Sequence, residues 1–288
     1  MLHMYQIFTD ATADFSPQDI ERLPDLKVIP MEILFDGVSY TFGPGGNIDH
    51  RAFYEMLKPE SDVKTSSIAP DTYYQTFKEC LEEGKDLIYI CFSSGLSSTC
   101  NTARLVLNGL KDKYPERKIT LVDSLCASLG QALLVGEAVR KQVNGCDYDE
   151  LVKWLEENKT KVAHWFTLDE MTYLLKGGRI TPAAAAIAST LQIKPVLSLN
   201  EEGKLYVAAK TRGRHSAIAL LLKKIDSNWN SDKCKSIIIG HGNCPDETKD
   251  VKEKILLHHP EAEVYTLNIG PVIGCHTGPG IIGMAFFV

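Results

Sequence analysis

The sequence has 288 residues and a net charge of −6, and 44% of its residues are hydrophobic. A chain of this length and composition is expected to fold into two modest globular domains with buried cores. Because phosphate contacts require a basic surface, the negative charge argues against nucleic acid as a ligand. No apolar run is long enough to span a bilayer, and residues 1–6 do not resemble a signal peptide, so we expect a cytoplasmic protein without stable membrane insertion.

Apolar runs alternate with amphipathic segments throughout the first half of the chain. This β-α-β-α order predicts a mainly parallel sheet that is covered on both faces, and ligands of such sheets bind at the carboxyl ends of the strands. In chain order we predict a strand over 5–8, a helix with Ser16 as its N-cap, a hairpin around Asp36-Gly37, helices over 49–57 and 73–81, and strands over 87–92 and 119–122.

A turn rich in hydroxyl groups, 93–99, lies between the predicted strand 87–92 and the next helix. The first N–H groups of a helix have no internal partner, so such a turn can bind an anion. The simpler interpretation is that one serine serves only as an N-cap. A second hydroxyl cluster, Lys64-Thr65-Ser66-Ser67, favours the anion site, although a turn hydroxyl can also bond its own backbone.

The segment 145–148 is predicted to be a hinge into a second α/β unit. Asp147 is expected to cap its first helix, and a hairpin is predicted around 200–203. The polar stretches 210–214 and 269–280 are predicted to be an arginine-containing loop and a loop rich in glycine that contains an exposed His276.

Eight motifs along the whole chain resemble those of the DegV family. Two departures are Cys275, where the family commonly has threonine, and the sequence of residues 66–70. The motifs are Thr-Asp-x-Thr-Ala-Asp at 9–14, Lys-Thr-Ser at 64–66, the hydroxyl turn 93–99, Val-Asp-Ser at 122–124, Leu-Lys-Gly-Gly-Arg-Ile at 175–180, Ile-Lys-Pro at 193–195, Lys-Thr-Arg at 210–212 and Ile-Gly-Pro-x-Ile-Gly-x-His-Thr-Gly-Pro-Gly at 269–280.

The resemblance implies a fold of two α/β domains. The first, residues 1–146, would be a three-layer α/β/α domain with a mainly parallel sheet, and the second, residues 147–288, a two-layer domain with a mixed sheet. The C-terminal segment could pack back near the first domain. DegV proteins bind fatty acids, so the resemblance also implies one long-chain fatty acid as the ligand. A separate ATP-dependent kinase would convert the bound carboxylate to an acyl phosphate.

The resemblance further implies roles for individual residues. Thr65 and Ser97 would hold the carboxylate, and Arg212 and His276 would support phosphoryl transfer or kinase docking. The implied fatty-acid-binding set is Thr65, Ser66, Ser97, Arg179, His276 and Gly278.

A different function is also consistent with these residues. Ser97 could be a nucleophile with His276 as its base, which would make the protein an autonomous phosphotransferase or acyl hydrolase. The sequence contains no Walker A loop and no nucleophile elbow, and this favours a binding protein over an enzyme.

We predict no metal site and no cofactor. The eight cysteines form no Cys-x-x-Cys pair and are interpreted as reduced core residues. Asp10, Asp14 and Asp123 could form a metal cluster, but we favour roles in ordering loops, because acidic groups beside a carboxylate ligand would repel it. The acyl chain could lie along a helix predicted over 183–191 or one over 127–139, although either could equally be an ordinary core helix.

Overall fold

The computed structural model describes residues 5–23, 25–181 and 192–288. The strands are β1 (Tyr5–Asp10), β2 (Leu26–Ile29), β3 (Met31–Phe35), β4 (Val38–Phe42), β5 (Val63–Thr65), β6 (Asp86–Cys91), β7 (Ile119–Asp123), β8 (Val162–Thr167), β9 (Ile193–Leu199), β10 (Leu205–Arg212), β11 (Ser236–His241), β12 (Glu263–Asn268) and β13 (Ile282–Phe287). The helices are α1 (Pro17–Glu21), α2 (His50–Met56), α3 (Pro70–Glu82), α4 (Thr99–Lys113), α5 (Leu129–Val143), α6 (Tyr148–Asn158), α7 (Thr172–Lys176), α8 (Arg214–Asn228), α9 (Pro245–His258) and α10 (Pro271–Thr277), with short 3-10 helices at Ala11–Ala13 and Lys159–Lys161.

Two larger sheets form the framework. The first contains four parallel strands in the order β2-β1-β6-β7, and the second contains six strands in the order β10-β9-β8-β13-β11-β12. In the second sheet only β11 and β12 pair in parallel. The predicted α/β architecture, with a parallel sheet and a mixed sheet, is confirmed.

A small antiparallel sheet, β4-β3-β5, brings Thr65 to its position. The hairpin predicted at Asp36-Gly37 joins β3 to β4, and Asp36 and Gly37 both have positive φ, as tight hairpin turns require. Thr65 is the last residue of β5 and pairs with Ile33 of β3. Residues 63–65 form a strand because they pair with β3, and the hydroxyl cluster continues beyond it without regular structure over 66–69.

Helix α5 lies between the two larger sheets. It contacts β8, β11 and β13 of the mixed sheet and β6 of the parallel sheet. Ten of its 15 residues are buried, which fits a helix whose small and apolar residues surround its whole circumference. One hydrophobic cluster runs through it, from Ile7 of β1 to Phe287 of β13. The domain division at residues 146 and 147 stays a prediction.

Several local predictions are confirmed and others are wrong. Ser16 caps α1 in a capping box, and Asp147 caps α6. Residues 210–212 are not a loop, because they pair with Ile193–Pro195 and extend β10. The segment 271–277 is not a loop either: it forms α10, which starts at Pro271 and ends before Gly278.

The helices of the described residues were compared with a membrane span and with the two helices predicted to lie along the acyl chain. Within the ranges 5–23, 25–181 and 192–288, no helix combines the length and apolar character needed to cross a bilayer. The helix predicted over 183–191 lies outside the described residues, whereas the one predicted over 127–139 corresponds to the first part of α5.

Candidate functional site

A cavity lies between the hydroxyl-rich segments of the first half and the mixed sheet of the second half. It has about 960 Å³ of atom-free space, part of which is open to solvent. Its polar end includes Thr65, Ser66, Ser97, Arg179 and His276. Most of the other lining side chains are apolar, among them Phe92, Leu129, Trp165, Phe166, Leu205 and Met284.

The two hydroxyl clusters predicted from sequence meet at the mouth of this cavity. Ser67 Oγ and Ser98 Oγ lie 2.9 Å apart, although 31 positions separate the two residues. Thr65 and Ser97 both line the cavity and are half-buried. The carboxyl end of β5 and the turn that precedes α4 therefore present hydroxyl groups to the same space.

Thr65 contacts His276 directly. Thr65 Oγ1 lies 2.9 Å from His276 Nε2, and the other ring nitrogen, Nδ1, is buried without a hydrogen-bond partner among the described residues. Burial, assisted by the charge of Arg179, lowers the pKa of His276 to about 4, so the ring is neutral at neutral pH. The prediction of an exposed histidine is wrong, because α10 packs His276 into the cavity wall.

The tautomer of His276 decides what Thr65 can bind. If Nε2 carries the proton, it donates to Thr65 Oγ1, and the hydroxyl hydrogen of Thr65 is then free to donate into the cavity. If Nε2 is unprotonated, the hydroxyl of Thr65 donates to the ring instead. The Nε2–H tautomer therefore makes Thr65 a donor to an anion.

Gly177 makes room for His276. A Cβ atom at position 177 would lie 2.2 Å from His276 Nδ1, which is closer than any real side-chain contact. Gly177 has an ordinary helical backbone with φ of −72°, so close approach of the ring, rather than backbone freedom, requires glycine here. The adjacent Gly178 has φ of +69° and open space around it.

Arg179 is the cation of the polar end. Its Nε donates to the carbonyl oxygen of Leu96 at 3.2 Å, and its Nη1 donates to that of Gly177. These bonds hold the side chain beside the turn that carries Ser97. Burial lowers the pKa of Arg179, but an arginine still keeps its charge at any physiological pH.

The hydroxyl of Ser97 takes part in the turn before α4. Ser97 Oγ accepts a hydrogen bond from the backbone N–H of Thr99 at 3.2 Å and donates to Thr99 Oγ1 at 3.1 Å. Because a serine hydroxyl rotates freely, Ser97 can redirect its hydrogen to a ligand while it continues to accept from the backbone. No hydrogen bond joins Ser97 to His276 among the described residues.

The tip of the β9–β10 hairpin packs against the same turn. Ser93 is fully buried, and its Oγ donates to the carbonyl oxygen of Gly203 at 2.9 Å. A Cβ atom at Gly203 would lie 2.0 Å from Ser93 Oγ, and one at Gly95 would lie 2.5 Å from the carbonyl oxygen of Glu202. Gly95 and Gly203 thus allow the β9–β10 hairpin to pack closely against the hydroxyl turn 93–99.

Two of the predicted site residues do not line the cavity. Arg212 is exposed on β10, where its Nε donates to Gln192 Oε1 at 3.3 Å. Gly278 follows α10 with φ of +68°, and its neighbour Thr277 lines the cavity instead. Ser66 does line it and is exposed at the mouth.

The three aspartates considered as a metal cluster have separate roles. Asp10 is buried and accepts hydrogen bonds from Tyr89 and Thr12. Asp14 accepts from Ser128 Oγ at 2.5 Å and from the backbone N–H of Gly270 at 2.9 Å, which ties the loop after β1 to the start of α10. Asp123 accepts from the backbone N–H groups of Ser94 and Leu125.

His164 lines the cavity and was not predicted from the sequence. Its Nδ1 lies 3.0 Å from the carbonyl oxygen of Val162, and its Nε2 accepts from the backbone N–H of Ala127. Burial lowers its pKa to about 4, so it is a neutral, fully bonded ring. In the sequence it is one polar residue within an apolar strand, which gives no signal of a cavity.

The comparisons with known proteins agree with this geometry. A family model described as an uncharacterised protein, DegV family, matches residues 4–288. The chain belongs to the DegV family. A DegV domain-containing protein of Clostridium perfringens is 34% identical over 282 residues, which cover 98% of this chain and 97% of the relative. The resemblance predicted from the sequence is confirmed.

Two solved DegV structures are also similar over the whole chain. A DegV family protein from Thermus thermophilus, described by its fatty acid binding, is 26% identical, with a TM-score of 0.85 over 99% of both chains. DegV of Bacillus subtilis, described as a fatty acid binding protein, is 26% identical, with a TM-score of 0.83 over 98% of both chains.

Proposed function

We propose that this DegV family protein binds a single long-chain fatty acid, with the carboxylate at Thr65 and Ser97 and the acyl chain in the apolar part of the cavity. The observation that carries the proposal is the lining of that cavity: hydroxyls, one cation and the neutral imidazole of His276 lie together at its mouth, and most of the other lining side chains are aromatic or aliphatic. Two relatives of the same fold are described as binding fatty acids.

The energetics assign different roles to the two ends of the cavity. Burial of about sixteen methylene groups, at about 0.8 kcal/mol each, gives a gross gain of roughly 13 kcal/mol. A hydrogen bond to a charged group contributes about 1.5–3 kcal/mol. The apolar wall therefore provides most of the affinity, and the hydroxyls fix which end of the ligand faces the mouth.

The polar end can hold a carboxylate without neutralising it completely. A buried anion must be hydrogen-bonded, and Thr65 and Ser97 provide neutral donors. Arg179 reduces the electrostatic cost, but its own hydrogen bonds go to the carbonyl oxygens of Leu96 and Gly177. A carboxylate held mainly by hydroxyls keeps electron density on its oxygens and can act as a nucleophile.

We further propose that a separate ATP-dependent kinase acts on the bound fatty acid. A carboxylate oxygen would attack the γ-phosphorus of ATP, the bond to ADP would break, and an acyl phosphate would form. Ser66, at the exposed mouth, and His276 lie near the carboxylate in this arrangement, and the exposed Arg212 would contact the kinase. The need for ATP also places the protein in the cytoplasm under this proposal.

The alternative, an autonomous hydrolase or phosphotransferase, has less support from the contacts. It requires His276 to accept the proton of Ser97, but His276 Nε2 is paired with Thr65, and the hydroxyl of Ser97 is paired with Thr99. It predicts turnover of acyl esters or acyl phosphates without a partner protein.

Acyl-phosphate formation distinguishes these functions. The loaded protein is incubated with ATP and a purified fatty-acid kinase subunit, and the product is trapped with hydroxylamine. We expect hydroxamate only when both proteins are present. Arg212→Ala should retain the fatty acid but lose most of the product, whereas Arg51→Ala, a control on the exposed face of α2, should behave as the native protein. Product formed without the kinase would support the alternative.

A further inference from the structure

Three potential metal ligands converge beneath the hydroxyl turn 93–99. Cys91 is the last residue of β6, Asp123 is the last residue of β7, and the two pair in register in the parallel sheet. Cys100 lies in the first turn of α4. The two sulfur atoms and a carboxylate oxygen all lie within 4.8 Å of one another.

We propose that Cys91, Cys100 and Asp123 form a binding site for a thiophilic divalent cation of the Zn²⁺ or Cd²⁺ type. Two thiolates and one carboxylate are a ligand set that such ions prefer, and a water molecule would complete a tetrahedron. With zinc–sulfur bonds of about 2.3 Å and zinc–oxygen bonds of about 2.1 Å, neighbouring ligand atoms in a tetrahedron lie roughly 3.5–3.8 Å apart. From separations of at most 4.8 Å, the ligand atoms would therefore need to approach one another by at most about 1.3 Å.

The charges around this cluster suit a divalent ion. Arg104, one turn along α4, donates from Nη2 to Cys100 Sγ at 3.5 Å. Two thiolates and a carboxylate contribute three negative charges, and a divalent cation with Arg104 contributes three positive charges. The occupied site is therefore neutral, as burial of Cys91 and Cys100 requires.

The ligand atoms can become available without rearrangement of the backbone. Asp123 Oδ1 accepts from the N–H groups of Ser94 and Leu125, which leaves Oδ2 without a hydrogen bond among the described residues. Asp123 is only half-buried and borders the exposed Ser94, so an ion can enter from that side.

The test is a titration of reduced, metal-free protein with Cd²⁺ under anaerobic conditions. We expect ultraviolet thiolate-to-cadmium charge-transfer absorption that saturates at one ion per chain, with release of about two protons per ion. Zn²⁺ should compete for the site. Cys91→Ser and Cys100→Ser should each weaken binding at least about 100-fold, whereas Cys80→Ser, a buried thiol of α3, should bind as the native protein does.

A second variant keeps the proposal testable if the serine variants do not fold. Asp123→Asn retains an acceptor for Ser94 and Leu125 but removes the charged ligand, and it should weaken binding at least about tenfold. The ion should also raise the midpoint of thermal unfolding in the native protein and in Cys80→Ser, and less in Asp123→Asn. Absence of the absorption in the native protein, or the same affinity in Cys100→Ser or in Asp123→Asn, would overturn the proposal.

Discussion

Thr65 Oγ1 lies 2.9 Å from Nε2 of His276, although 211 positions separate these residues in the chain. The contact joins the end of the small antiparallel sheet to α10 at the mouth of the cavity. It explains how a neutral histidine can assist in binding an anion: in the Nε2–H tautomer the ring donates to the threonine oxygen, and the threonine hydroxyl can then donate to the ligand. His276 is thus a positioning residue for Thr65 in the proposed binding state.

The first prediction concerns the hydroxyl of Thr65. Thr65→Val keeps the shape of the side chain and removes one hydrogen bond to the carboxylate, which should weaken fatty-acid binding by about 10- to 100-fold. Isothermal titration with oleate on delipidated protein measures the change. Thr160→Val, at an exposed site outside the cavity, is the matched control and should bind as the native protein does. Equal affinities for the two variants would contradict the assigned role of Thr65.

The second prediction concerns the space that Gly177 provides. In Gly177→Ala the new methyl group would clash with His276 Nδ1, so the ring must leave its place beside Thr65. We expect weaker fatty-acid binding and loss of acyl-phosphate formation, with α7 still folded. Gly109→Ala, at an exposed helical position with no atom within 4 Å, is the control and should be neutral or slightly stabilising. A crystal structure of Gly177→Ala with His276 unmoved would contradict this explanation.

The third prediction tests the contact between the β9–β10 hairpin and the hydroxyl turn 93–99. Gly203→Ala places a methyl group against Ser93 Oγ and also strains a residue with φ of +69°. Gly45→Ala strains a residue with φ of +72° but has open space, so it isolates the effect of the clash. We expect Gly203→Ala to lower both the free energy of unfolding and the fatty-acid affinity, and Gly45→Ala to lower only the former. Fatty-acid affinity unchanged in both variants would mean that the hairpin does not shape the site.

The fourth prediction concerns the pH dependence of stability through Asp14. Burial raises the pKa of Asp14 from 3.8 to about 7. Between these two values the folded protein holds a proton that the unfolded chain has released, so the contribution of Asp14 to stability falls as the pH rises from about 4 to 7 and is constant above that. Asn at this position imitates the protonated acid, and its side chain suits the φ of +56°.

Urea unfolding of the native protein and of Asp14→Asn at pH 5 and pH 8 measures this effect. The native protein should lose stability between pH 5 and pH 8 through Asp14, and the variant should not. The unfolding free energy of the variant minus that of the native protein should therefore be larger at pH 8 than at pH 5 by at least about 1 kcal/mol. The comparison cancels the titration of all groups that the two proteins share. If the unfolding free energy of Asp14→Asn minus that of the native protein is the same at both pH values, or larger at pH 5, then Asp14 is ionised in the folded protein at pH 5 and the prediction is contradicted.

The first half of the site could be predicted from the sequence because its signals are local. Thr65 and Ser97 each lie in a hydroxyl cluster, and the cluster with Ser97 follows a predicted strand, where ligands of α/β folds bind. The choice of these two hydroxyls as carboxylate ligands came from the resemblance to the DegV family. The meeting of the two clusters is implied by the resemblance but not by local sequence patterns, since it depends on how the small sheet packs. The pairing of Thr65 with His276 depends in addition on α10, a segment whose glycines predict a loop.

The sequence contains evidence for the helix α10 but none that distinguishes the apolar wall of the cavity from an ordinary core. Pro271 in the first turn and Gly278 after the last turn are ordinary helix boundaries, so the sequence does contain the evidence for α10. Trp165 and Met284 line the cavity from two neighbouring strands, but a residue beside a cavity and a residue in a filled core give the same alternating pattern. Likewise, the spacing of the cysteines in the sequence does not show that Cys91 and Cys100 lie side by side, because the packing of α4 on the parallel sheet brings them together.

The most direct test is the identity of the molecule that the purified protein carries. The protein is denatured, extracted with organic solvent and analysed by mass spectrometry, with the Thr65→Ala/Ser97→Ala double variant extracted in parallel. We predict about one long-chain fatty acid per native chain and much less in the double variant. An empty extract from the native protein, together with no binding of added fatty acid, would contradict the proposed function.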